Sequence, residues 1–65
     1  MQEQFKVQGM TCSHCARAVT EAIRRVDATA RVEVDLAAGA VSVESGAPRE
    51  RLADAIREEG YAVAA

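Results

Sequence analysis

Gln4 to Val26 reads QFKVQGMTCSHCARAVTEAIRRV, and the hydropathy period changes once within it. From Gln4 to Gln8 polar and apolar residues alternate, with Phe5 and Val7 on one side, which is the pattern of a half-buried strand. Gly9 breaks the alternation. From Ser13 to about Val26 the apolar residues Ala16, Val19, Ile23 and Val26 recur at steps of three and four, one stripe of an amphipathic helix, while Arg17, Glu21, Arg24 and Arg25 lie off it. Thr11 or Ser13 is expected to cap the helix, since either side chain can accept from an orphan N–H. The segment is therefore a strand, a loop over Met10–Cys15 and a helix.

Working outward, Asp27 to Ala30 is a connector. Arg31 to Leu36 alternates again, with Val32, Val34 and Leu36 facing one way. Ala37-Ala38-Gly39 can turn the chain, and Ala40 to Glu44 completes a hairpin with Val41 and Val43 inward. Pro48 suits the first turn of a second helix, where its missing N–H costs nothing. Ala47 would cap that helix poorly, so Ser45 is expected to do so instead. Leu52, Ala53 and Ile56 form the inner stripe, Glu50 and Arg57 suit the helix dipole, and Gly60 stops the helix. Tyr61 to Val63 is a last short strand.

The order is β-α-β-β-α-β. A helix between the first two strands lets them run parallel, and the hairpin reverses the third. With the third strand between the first two, the fourth pairs antiparallel beside the first. The predicted fold is α+β: a ferredoxin-like sandwich in which two helices cover one face of an antiparallel four-stranded sheet. Gly60 and Tyr61 should then lie beside the Gly9–Cys15 loop.

With 65 residues, the chain reads as a single domain over 1–65 with a thin core dominated by Ala and Val. A deep enclosed catalytic site is not expected. The formal net charge is −2 and Arg is interleaved with Glu and Asp, which argues against a nucleic-acid binder. No apolar run approaches the roughly 20 residues that cross a bilayer, and Met1 to Phe5 carries no secretory pattern. The expected location is cytoplasmic. In that reducing compartment a lone Cys pair reads as metal-binding or redox-active rather than as a structural disulfide.

Cys12 and Cys15 stand three apart, with the second in a helix's first turn, so both sulfurs can aim at one point. The partial positive charge and free N–H groups of a helix start favour thiolate over thiol. Thiolates select soft ions, among which Cu(I) leads inside a cell. A closed zinc site wants four ligands, and this chain supplies two cysteines and one histidine in all. Two sulfurs leave an ion open to an incoming thiolate and thus to handover.

The Gly9-Met10-Thr11-Cys12-Ser13-His14-Cys15 loop resembles that of the heavy-metal-associated domain family, and the whole chain resembles the bacterial copper chaperones of that family. The likeness runs over essentially the full length, including Gly60-Tyr61. It implies a ferredoxin-like fold, Cu(I) held by Cys12 and Cys15, and delivery to a copper-transporting P-type ATPase or a copper-responsive regulator. The chain departs from the family at Asp27-Ala28-Thr29-Ala30, where members often carry Gly-Val; this is a turn distant from the loop. Zinc-selective relatives often place an acidic residue before the first Cys, where this chain has Thr11.

The site is expected to comprise Cys12 and Cys15 as metal ligands, surrounded by Met10, Thr11, Ser13, His14 and Tyr61. Met10 reads as a plug of the core beneath the loop rather than a thioether ligand. His14 reads first as a solvent-exposed side chain and second as a neighbour that tunes thiolate basicity. Tyr61 is expected to shield the sulfurs or hydrogen-bond beside them. The remaining helix Arg and Glu residues read as a solvated surface, with Arg17 a candidate to steer docking. The alternatives are a carrier of mercury, zinc or cadmium, a thiol–disulfide redox protein, and a sensor module of a membrane ATPase. The expected state is a monomer without metal that can pair with a second copy through a bridging ion.

Overall fold

A computed structural model describes residues 2–64. The elements are β1 (Gln2–Gln8), α1 (Ser13–Val26), β2 (Arg31–Asp35), β3 (Ala40–Glu44), α2 (Arg49–Glu58) and β4 (Ala62–Ala64). The four strands form one sheet in the order β2-β3-β1-β4, and every neighbouring pair is antiparallel. This is the ferredoxin-like arrangement expected from the sequence. β1 pairs over its first five residues with β3, from Gln2 opposite Glu44 to Lys6 opposite Ala40, and over its last three with β4.

One face of the sheet carries Phe5, Val7, Val41 and Val43, all buried. They share a single core with Val19 and Ile23 of α1 and with Leu52, Ala53 and Ile56 of α2, so both helices cover that face. The large side chains at its centre (Phe5, Ile23, Leu52, Ile56) are almost fully shielded from water. Each contributes more transfer free energy than an Ala or Val beside it in a chain rich in both. The buried stripe of α1 is Val19, Ala22 and Ile23, with Ala16 and Val26 only half-buried. It is rotated from the expected stripe because α1 packs against α2 as well as the sheet.

Both helix starts differ from expectation. Cys12, not Thr11 or Ser13, occupies the cap position of α1, and no side chain caps it. Ser13 is already the first helical residue, so its hydroxyl is past the cap position. The Cys12 carbonyl instead accepts from the N–H groups of Cys15 (3.0 Å) and Ala16 (3.3 Å). Pro48 is the cap residue of α2, one position before its expected place, and its carbonyl accepts from Arg51 and Leu52. Ser45 lies too far before the helix to cap it.

The Ser45 hydroxyl has another task. It donates to Asp27 Oδ2 at 2.6 Å and accepts from the Ala47 N–H at 3.0 Å. Asp27 Oδ1 accepts from the Thr29 N–H (3.0 Å) and hydroxyl (2.7 Å). These donors, with the Ser45 hydroxyl foremost, hold the Asp27 carboxyl down at about 2. The connector thus ties the end of α1 to the loop before α2. Arg49 also departs from a purely solvated reading: its guanidinium lies 4.4 Å over the Phe5 ring and 3.0 Å from Glu3 Oε1.

Three loops meet at one end of the sheet. The Val7 N–H donates to Gly39 O at 2.8 Å, which draws the β2–β3 turn to the end of β1. Gly60 ends α2 at φ +95° with its N–H on Arg57 O, and the chain then enters β4 opposite Gln8. Tyr61, expected as the first residue of the last strand, stands just before it, beside the loop that follows β1.

Candidate metal centre

The Met10–Cys15 loop is anchored from below. Met10 is buried in the core cluster, as its reading as a plug requires. From that anchor the chain rises through exposed Thr11 and Cys12 into α1, and Cys15 on the first turn packs partly against the core. Both cysteines are free thiols, Cys12 exposed and Cys15 half-buried. Their sulfurs lie 3.8 Å apart. That is far beyond the roughly 2 Å of a disulfide. It is within the ~4.6 Å that two metal–sulfur bonds of about 2.3 Å can span.

The two sulfurs have different surroundings. The Tyr61 hydroxyl donates toward the Cys15 sulfur, as do the main-chain N–H groups of Thr11 and Cys12 and the Cys12 thiol. Together, and against a smaller opposing effect of burial, they bring the Cys15 thiol from its ordinary 9.0 down to about 6, with Tyr61 the largest contributor. These donors favour the thiolate form of Cys15 at neutral pH. The same contact pushes the Tyr61 phenol up, because its proton is held by the sulfur; burial and the charges of Cys15, Cys12 and Glu59 act in the same direction.

Of the residues singled out in the sequence, Cys12, Cys15 and Tyr61 come together, with Met10 beneath them. Thr11 contributes through its main-chain N–H rather than its hydroxyl. Side-chain identity gives no signal for that role. Ser13 and His14 are exposed on the first turn of α1. Among the described residues no group of three or more His, Cys, Asp or Glu side chains is placed to hold a metal ion. Among the described residues, too, no helix is long and apolar enough to cross a membrane.

Fold and loop together define a ferredoxin-like domain that presents an exposed, open-sided dithiol at the head of its first helix. Residues 4–62 match the family model of the heavy-metal-associated domain, and the chain belongs to that family. It is similar to the copper chaperone CopZ of Bacillus subtilis (strain 168), 39% identical over 66 residues, covering 97% of this chain and 96% of that protein. Among solved structures it is similar to the copper chaperone Atx1 from Synechocystis PCC6803 in a form titled Cu2 (39% identity, TM-score 0.92, 95% of this chain and 98% of that one). A structure titled gold binding protein is also similar, at 37% identity and TM-score 0.87, with 92% of each chain covered.

Proposed function

We propose that this domain is a cytoplasmic carrier of Cu(I), which Cys12 and Cys15 hold as thiolates and surrender to a partner by ligand exchange. The observation that carries the reading is the pair of free sulfurs 3.8 Å apart on an exposed loop, where the described residues form no group of three or more His, Cys, Asp or Glu placed to hold a metal ion. Such a pair grips a soft ion yet leaves one side open. An incoming partner thiolate adds to the ion there, and one of this chain's thiolates then leaves. The ion changes ligands and nothing is chemically converted, so the role is that of a carrier rather than an enzyme. The copper chaperones it resembles over nearly their whole length support the choice of metal.

The partner is an acceptor with thiolates of its own: the metal-binding domain of a copper-transporting P-type ATPase, or a copper-responsive regulator. The free domain is a monomer, and an ion shared between two exposed loops would join two copies. Mass spectrometry of the reduced protein with limiting Cu(I) tests the core of this reading, with one ion per chain expected. Equal binding by the Cys12→Ser, Cys15→Ser double variant would end it.

The similarity to a gold-binding protein favours a second reading, in which the cargo is another soft ion. Two thiolates accept mercury, cadmium or zinc too, though zinc lacks the four ligands of a closed site. Competition at equal free metal concentration separates these cargoes. Turnover in an insulin-reduction assay would instead mark the pair as a redox couple.

A further inference from the structure

Gly9 stands at φ +99°, a conformation that side chains with a Cβ disfavour, at the point where the chain leaves β1 for the cysteine loop. β1 and β4 are paired up to Gln8 opposite Ala62, so Gly9 and Tyr61 are the next residues outward on the two chains. The Tyr61 ring fills the space that a side chain on Gly9 would need. A Cβ there would sit 3.3 Å from Tyr61 Cδ1 and 3.9 Å from Cε1. The ring is half-buried, packs against the core cluster, and directs its hydroxyl toward the Cys15 sulfur.

We infer that Gly9 is a positioning residue for the metal site: its bare backbone is the seat on which the Tyr61 ring rests, and this sets the reach of the hydroxyl to Cys15. The inference rests on the reading of Cys12 and Cys15 as metal ligands. The ring has the core on one side and the chain at Gly9 on another, so a methyl group at position 9 leaves it one response, to tilt away. A tilt of a few tenths of an ångström is amplified at the hydroxyl, the atom farthest from the Cα. Substitution at Gly9 should thus act on the site through Tyr61 even though Gly9 touches neither sulfur with a side chain.

The test is a double-mutant cycle of Gly9→Ala and Tyr61→Phe. Tyr61→Phe keeps the ring and its clash but removes the hydroxyl. Cu(I) release to a competing chelator measures the site. Near-ultraviolet circular dichroism of the metal-free protein reports the ring, because Tyr61 is the only tyrosine and there is no tryptophan. Each single variant should speed release roughly two- to tenfold, the worth of one hydrogen bond, and the double variant no more than Tyr61→Phe alone. Gly9→Ala should also change the tyrosine signal in the metal-free protein.

Additive effects would mean that Gly9 acts through backbone strain alone and would overturn the inference, as would an unchanged tyrosine signal. Should Gly9→Ala fail to fold, Gly9→Asn adds the same Cβ with better tolerance of positive φ, and the same outcomes decide. If the parent itself binds no Cu(I), the carrier reading fails. The tyrosine signal, measured without metal, then still shows whether Gly9 seats the ring.

Discussion

Replacing Tyr61 by Phe isolates one hydroxyl at the dithiol. In the parent, four donor contacts bring the Cys15 thiol from 9.0 to about 6, and burial opposes them. Tyr61 is the largest of the four. The variant should therefore titrate roughly one pH unit higher, the scale of a hydrogen bond to a charged acceptor. The ring remains in place, so packing against Gly9 and the core is unaltered. The assay is the pH dependence of thiolate absorbance, backed by alkylation under limiting reagent with the modified cysteine located by mass spectrometry. In the parent, Cys15 should ionise about midway between pH 5 and 7. Coincident midpoints for the two proteins would refute the reasoning, because then the Cys12 thiol and the main-chain N–H groups hold the thiolate without Tyr61.

Leu52→Ala removes a side chain with no exposure to solvent and should cost ~2–5 kcal/mol, enough to leave so small a domain largely unfolded on warming; a denaturant midpoint shift worth under about 1 kcal/mol would contradict the packing described. Ser45→Ala removes a hydrogen bond to a charged carboxylate and should lower the denaturant midpoint at neutral pH. Asp27 is held down at about 2 from an ordinary 3.8, so its contribution is full above 3.8 and fades as pH falls toward 2. The difference between parent and Ser45→Ala should accordingly shrink over that interval, and a pH-independent difference would count against the contact. Arg49→Ala uncovers the Phe5 ring and frees Glu3, contacts that should together be worth about 1 kcal/mol or less by chemical denaturation.

The single change of period at Gly9, from alternation to steps of three and four, made the first strand and first helix legible, and the order of six elements followed from the same kind of pattern. Apolar spacing carries that information because a core face must be continuous on a strand or helix. Caps were less legible. Thr11 and Ser13 are good cap residues by type, yet the chain uses Cys12, because the cap position is set by where the backbone turns and not by which neighbour has an oxygen. Ser45 shows the same limit: its partner Asp27 is eighteen residues away, and no local spacing announces a contact of that kind. At the site, the topology and the resemblance over Gly60-Tyr61 both point to Tyr61 lying beside the loop. The donation from the Thr11 and Cys12 main chain was hidden, since every residue but proline carries that N–H.

The asymmetry between the two sulfurs follows from where the loop meets the core. Met10 is buried and Cys15 half-buried against the same cluster, whereas Cys12 has left it. A residue fixed by packing can be surrounded by fixed donors, and Cys15 is; one that projects into solvent is free to move toward a partner, and Cys12 does project. A carrier needs both properties, a thiolate ready at neutral pH and a ligand able to let go, and a single well-packed pair of equal sulfurs would not combine them. For the proposed carrier, the core thus serves function at this one edge, by holding one member of the dithiol and leaving the other exposed. Moving the loop by one residue, through an insertion between Met10 and Cys12, should preserve the thiol count and the fold while separating the two roles, and Cu(I) retention by such a variant at the parent's strength would show that anchoring at Met10 is irrelevant to the site.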